Sequence, residues 1–182
     1  MTGSPSVPSS LGLESGVVRV VPYDPEWPRL FETEARRLIA CLAPPPVVLE
    51  HTGSTSVPGL AAKPVLDILA GAVEEAPIEA YIERLVGCGY VHRGEQGIPG
   101  REFFRRGEPR AYHIHLTRIG SQFWREHLAF RDYLRTHSAS RDEYARLKLE
   151  LAARFPHDRA AYIDGKGPFV QKVLALAMQD QI

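Results

Sequence analysis

Along the chain the spacing of apolar residues changes several times, and each change predicts an element. Val17 to Val21 is a short apolar run, expected as an edge strand. After Pro22-Tyr23-Asp24-Pro25, residues Trp27, Leu30, Phe31, Leu38 and Leu42 recur at helical spacing, with Asp24 or a near neighbour as cap and Pro25 in the first turn. Pro44-Pro45-Pro46 stops that helix. Two apolar runs follow, Val47-Val48-Leu49 and Val65-Leu66-Asp67-Ile68-Leu69, and both read as strands covered on both faces. Between them, His51 to Pro58 is a polar turn. Ile78, Ile82, Leu85 and Val86 mark a helix closed by Gly87 and Gly89. Extended segments at Tyr90 to Arg93, Arg101 to Arg106 and Tyr112 to Thr117 are separated by Gly and Pro, as hairpin strands are.

The remainder reads as helical. Phe123, Leu128 and Leu134 predict one helix. Ser140-Arg-Asp-Glu143 has the form of a capping box opening a second, with Leu147 and Leu151 inward. Pro168 is expected to start a third, carrying Phe169, Val173 and Leu174. Helix, mixed sheet, then helices predicts an α/β (α+β) domain with helices packed on a mixed β-sheet. Residues 1–16, rich in Ser, Pro and Gly, read as a flexible tail, which leaves 17–182 as a single domain.

Composition narrows the function classes. The 182 residues, 44% hydrophobic and 24% charged, suffice for one buried core. Lys plus Arg and Asp plus Glu number 22 each, so the basic excess expected of a duplex nucleic-acid binder is missing, while a small anion needs only a few local cations. Cys41 and Cys88 read as plain, unpaired core residues. With no leader pattern and no apolar run long enough to span a bilayer, no membrane partner is expected, and the cytoplasm is the expected compartment.

Three groups of residues can carry chemistry. His51-Thr-Gly-Ser-Thr-Ser-Val-Pro-Gly59 follows a strand and offers His51, Gly53, Ser54, Thr55 and Ser56; such a turn suits phosphate oxygens, and equally it is an ordinary serine-rich turn. Asp67 interrupts an apolar strand, where a carboxylate needs a partner: it faces a pocket, or it pairs with Lys63 or an arginine. His113 and His115, two apart on a strand, share a face; they can bind a metal or an anion, shuttle protons, or serve as structural residues. Glu102 either joins Asp67 across the sheet or is a solvated strand carboxylate. Arg131, Lys148, Tyr162 and Lys166 either reach over the pocket to an anion or form surface ion pairs.

From Val17 to about Ala177 the chain resembles the GrpB family of the nucleotidyltransferase superfamily. The resemblance rests on Val21-Pro-Tyr-Asp-Pro-Glu-Trp-Pro28, on the stretch His51 to Asp67, on His113-Ile-His115, on Phe130-Arg-Asp-Tyr-Leu-Arg135, on Tyr144-Ala-Arg-Leu-Lys148 and on Tyr162 to Lys166. Some relatives carry this module fused to dephospho-CoA kinase, and the P-loop such a kinase needs has no match here. The resemblance implies a minimal nucleotidyltransferase fold, with Gly53-Ser54 as the phosphate turn, Asp67 as the first metal-binding acid, and a divalent ion, Mg²⁺ or Mn²⁺ before Zn²⁺. The second acid of the superfamily falls at Leu69. His113, His115 and Glu102 are then the replacement ligands, with Lys63, Arg131, Lys148 or Lys166 neutralising phosphate. The expected partner is a nucleotide or another phosphorylated small molecule. Two other expectations use the same pocket: a catalytically silent nucleotide- or phosphometabolite-binding module, and a mononuclear-metal hydrolase built on His113 and His115.

Overall fold

A computed structural model of the protein describes residues 10–179. In chain order the elements are α1 (Trp27–Leu42), β1 (Val47–Thr52), a 3₁₀ turn (Ser54–Ser56), β2 (Leu66–Ala72), α2 (Ile78–Gly87), β3 (Val91–His92), β4 (Glu102–Arg106), β5 (Tyr112–Arg118), α3 (Gln122–Thr136), α4 (Ser138–Arg154) and α5 (Arg159–Gln179). The strands form one mixed sheet in the order β1-β2-β5-β4-β3. β2 and β5 run parallel, and every other pairing is antiparallel.

Register and the alternation of side chains sort the residues onto two faces. On one face Ile68, Ile114 and Phe104 lie side by side. There they pack with Trp27, Leu38 and Leu42 of α1 and Tyr81 and Leu85 of α2, all buried. On the other face one row runs Thr52, Asp67, His113, Arg105 and Val91. The next row on that face runs Glu50, Leu69, His115 and Phe103. Helices α3 to α5 cover this second face and pack on one another through Leu134, Tyr144, Phe169 and Val173, together with Val57 and Leu60.

The strand and helix assignments stand in the main, and the departures have physical reasons. Val17 to Val21 forms no strand: only Val21 pairs, in an isolated bridge to Ala62. β1 is a sheet edge, and Val48 is exposed, so this run is not covered on both faces. α4 starts at Ser138, so Ser140 and Glu143 lie inside the helix and form no capping box. Its buried residues are Tyr144, Lys148 and Ala152, with Leu147 and Leu151 only half-buried. Pro168 lies inside α5 and does not open it. Of the expected tail, residues 1–9 lie outside the described residues, whereas Leu11 and Leu13 are buried and Leu13 bridges to Arg110. Cys41 and Cys88 are joined in a disulfide, with their Cα atoms 6.4 Å apart. Two cysteines looked too few for a framework, but α1 and the end of α2 pack together on the same face of the sheet. Among the described residues no helix is long and apolar enough to cross a membrane.

Candidate functional site

The parallel pairing of β2 and β5 sets Asp67 beside His113 and Leu69 beside His115. Asp67 Oδ1 accepts from His113 Nδ1 at 3.0 Å and lies 3.4 Å from His115 Nε2. Candidate ligand atoms of the three residues all fall within 4.8 Å of one another. Burial alone would raise the Asp67 carboxyl, but the hydrogen bonds from His113 and His115 outweigh it and hold the group well below the usual carboxylate range. Burial lowers His113 to about 4 despite the carboxylate beside it, so its ring is neutral at pH 7. The outer nitrogens, His113 Nε2 and His115 Nδ1, are buried and have no hydrogen-bond partner.

The serine-rich turn lies directly against this cluster. Thr52 pairs with Asp67 across the ladder, and Gly53 follows with φ +67°. A Cβ on Gly53 would stand 2.6 Å from Asp67 Oδ2, so only glycine lets the turn sit on the carboxylate. Ser56 Oγ then closes the turn by donating to the Gly53 carbonyl at 2.6 Å.

Triad and turn open into a cavity of about 720 Å³, floored by Asp67, His113, His115 and Phe103 and roofed by residues of α3, α4 and α5. Its walls are rich in cations. Lys63 and Lys166 both sit over the Tyr162 ring, at 5.2 and 4.6 Å from its centre. Lys148 is almost fully buried, sits 4.6 Å from the Tyr144 ring centre, and donates to the Ala61 carbonyl. Burial is the main cause that brings Lys63 and Lys166 down to about 8, and each also feels a cationic neighbour, Lys166 and Arg159 respectively. Burial, then Lys166 and Lys63, drives Lys148 well below its ordinary value. Arg101 and Arg159 line the same space. Among the described residues none of these five cations pairs with a carboxylate. Lys148 and Arg101 are buried and donate to backbone carbonyls, Lys63 and Lys166 are half-buried and Arg159 is exposed; like charges gathered without an acidic partner are complemented by an anion.

Of the residues singled out in the sequence, Gly53, Ser54, Thr55, Lys63, Asp67, His113, His115, Lys148, Tyr162 and Lys166 all line this cavity. Four do not. His51 lies in register with Ile68, on the opposite face, stacked on Phe31 at 4.8 Å and 3.0 Å from Thr55 Oγ1. Ser56 is committed to its own turn. Arg131 is buried between Glu50, at 2.6 Å, Asp132, at 2.7 Å, and the His51 carbonyl, at 3.1 Å. Glu102 is in register with Leu116, which turns it away from Asp67, and it accepts from His92 Nε2 at 2.6 Å.

The structure adds residues the sequence reading did not single out. His127 of α3 lines the cavity; its Nδ1 donates to the Phe123 carbonyl at 2.9 Å, and its ring centre is 6.0 Å from that of His115. Phe123, His127 and Phe130 share helical spacing, which could have marked the inward face of α3. Arg101 shares strand parity with Phe103, which could have placed it. Arg159 carries no such local signal.

A mixed sheet with a Gly-Ser turn and a strand aspartate at one end defines a nucleotidyltransferase-like fold. Consistent with this, the chain superposes on the Cid1 poly(U) polymerase bound to MgGTP with a TM-score of 0.53, at 15% identity, over 74% of this chain and 45% of that one. This likeness concerns the fold alone. The chain itself belongs to the GrpB family, whose model, described as GrpB protein, matches residues 17–176. The crystal structure of the conserved protein GrpB from Enterococcus faecalis is similar over 90% of this chain and 99% of that one, with a TM-score of 0.82 and 36% identity. The UPF0157 protein YqkA of Bacillus subtilis is 37% identical over 85% of this chain, which spans only 45% of YqkA. A dephospho-CoA kinase of Mycolicibacterium paratuberculosis matches 84% of this chain over 44% of its own length, at 26% identity.

Proposed function

We propose that the cavity binds a nucleotide or another phosphorylated small molecule together with one divalent metal ion, and that the chemistry served is transfer of a nucleotidyl group. One observation carries this reading: the Asp67–His113–His115 cluster, the Gly53-Ser54 turn and the unpaired lysines all open into a single cavity. The donor set fits an ion. It combines an ionised carboxylate with two imidazoles, and His113 Nδ1 and His115 Nε2 both converge on Asp67 Oδ1. Two nitrogens and one carboxylate suit Mn²⁺ better than Mg²⁺, with Zn²⁺ a competitor.

Asp67, His113 and His115 would hold the ion, which would supply charge to offset that on phosphate oxygens. His115 stands beside Leu69, so an imidazole from the neighbouring strand occupies the neighbourhood of the superfamily's second acid. Ser54 and the Gly53 backbone would orient a phosphate, and Lys63 and Lys166, largely protonated at pH 7, would balance it.

A second reading, a binding module without turnover, is favoured by Leu69: it is fully buried and leaves Asp67 as the sole carboxylate in the triad. Calorimetric titration with nucleoside triphosphates, with and without Mn²⁺, tests the shared pocket. Metal-dependent binding is expected in the wild type and is lost in Asp67→Asn. Nucleotide binding indifferent to both metal and Asp67 overturns the proposal. Metal-dependent binding without transfer of labelled nucleotide to any acceptor in cell extract selects the silent module.

A further inference from the structure

A second cavity, of about 300 Å³, opens on the same sheet face at its other edge, lined by Arg93, Arg105 and Arg110. We infer that this cavity is a separate anion site that takes the phosphate group of a second small molecule, beyond the ligand proposed for the larger cavity.

Arg105 is in register with His113, which is in register with Asp67, so the arginine lies in the same row as these two members of the triad, two strands from the aspartate. At about 4.8 Å per strand, the two centres are about 10 Å apart across the sheet. Arg93 continues the face on the outermost strand, its backbone N–H bonded to the Phe103 carbonyl at 2.8 Å. Among the described residues none of Arg93, Arg105 and Arg110 pairs with a carboxylate. Buried Nε atoms of Arg105 and Arg110 have no hydrogen-bond partner. Glu108 borders the cavity but forms no ion pair among the described residues, and the fourth arginine there, Arg106, is taken by Glu34 at 2.5 Å.

The three remaining guanidiniums work against one another. Burial, then Arg110, Arg159 and Arg93, lowers Arg105 to about 10. A chain of zero formal net charge has enough carboxylates to neutralise these groups, yet among the described residues none forms an ion pair with them, Glu108 at the rim included. Planar guanidinium forks match the oxygens of a phosphate, and 300 Å³ accommodates a phosphate ester without a base. If nucleotidyl transfer is the reaction of the larger cavity, a phosphorylated acceptor about 10 Å away is the class of molecule this site would hold.

The test counts phosphate sites by isothermal titration with inorganic phosphate and, separately, with glycerol 3-phosphate, each at constant ionic strength. Arg93→Gln/Arg105→Gln is expected to lose one site, or to weaken it at least tenfold. Its melting temperature without phosphate should be unchanged or higher, because like charges have been removed. Lys63→Met/Lys166→Met keeps this site and loses any phosphate bound in the larger cavity, so failure of one reading is distinguishable from failure of the other. The single variant Arg93→Gln, at an exposed position, guards against a folding artefact and should weaken the same site. Tighter binding of the ester than of free phosphate identifies a small-molecule substrate as the occupant, and the reverse order identifies phosphate itself. Unchanged titration of both arginine variants, or equal stabilisation by chloride, overturns the inference.

Discussion

The two faces of the sheet treat buried charge in opposite ways. On the face under α1 and α2, Glu34 is almost fully buried, yet its carboxylate accepts from Arg37 at 2.6 Å, Arg106 at 2.5 Å and the Tyr90 hydroxyl at 2.9 Å. On the face under α3 to α5, Asp67 meets two imidazoles, and among the described residues the cations that line its cavity, Lys63, Lys148, Lys166, Arg101 and Arg159, form no ion pair with a carboxylate. A buried network kept for stability satisfies its members, because an uncompensated group costs several kcal/mol. Where compensation stops, the missing partner comes from outside the chain. That contrast separates a structural charge cluster from a binding site more sharply than charge density does, since both clusters are rich in charge.

The largest effect that could break the contrast is at Glu34. Glu34→Gln leaves Arg37 and Arg106 uncompensated and should cost roughly 3–5 kcal/mol of unfolding free energy in urea titration. Asp67→Asn should lower Mn²⁺ affinity by more than about 100-fold while changing stability by less than about 1 kcal/mol. A Glu34-sized stability loss at Asp67 would make it a second structural carboxylate. Gly53→Ala sharpens the picture at the turn: the positive φ and the Cβ contact with Asp67 Oδ2 should cost more than about 1 kcal/mol and also impair Mn²⁺ uptake, read by metal titration and thermal melting.

The smallest effect is graded with pH. Burial lowers His51, His113 and His127 to about 4, against an ordinary 6.5. The unfolded chain takes up these protons as pH falls through about 6.5, the folded chain only near 4. Between those values the unfolded state binds more protons, so this stability is fully present above pH 6.5 and declines towards pH 4. Urea midpoints at pH 7 and pH 5 check it: the lower pH should give the lower midpoint.

Much of the site was legible in the sequence because it depends on local signals. An aspartate inside an apolar strand, two histidines of the same parity and a Gly-Ser turn are recognisable without knowing what lies across from them. Glu102 and His51 were misplaced because facing depends on register between strands, which no single segment encodes: in register with Leu116 and Ile68, both belong to the face away from the cavity. Arg131 had the right charge, but besides its neighbour Asp132 it is claimed by Glu50, 81 positions away, a pairing that no local spacing encodes. In the helices, Pro168 and the Ser140–Glu143 pair are true terminus signals overridden by packing: Tyr162, Phe169, Val173 and Ala177 bury one continuous face of α5 across the proline. Lys148 breaks the apolar pattern of α4 from a buried position, which is why Leu147 and Leu151 looked like the inner face.

The pairing of β2 with β5 has one more consequence. Asp67, His113 and His115 stand on the innermost ladder of the sheet, flanked by a strand on each side. Ladders in that position are the last to exchange their amide protons with solvent, whereas peripheral helices open early. A cation held there would be gripped by the most persistent part of the molecule, so loading would outlast fraying of α3 to α5, and the roof could open to admit or release cargo while the ion stayed in place.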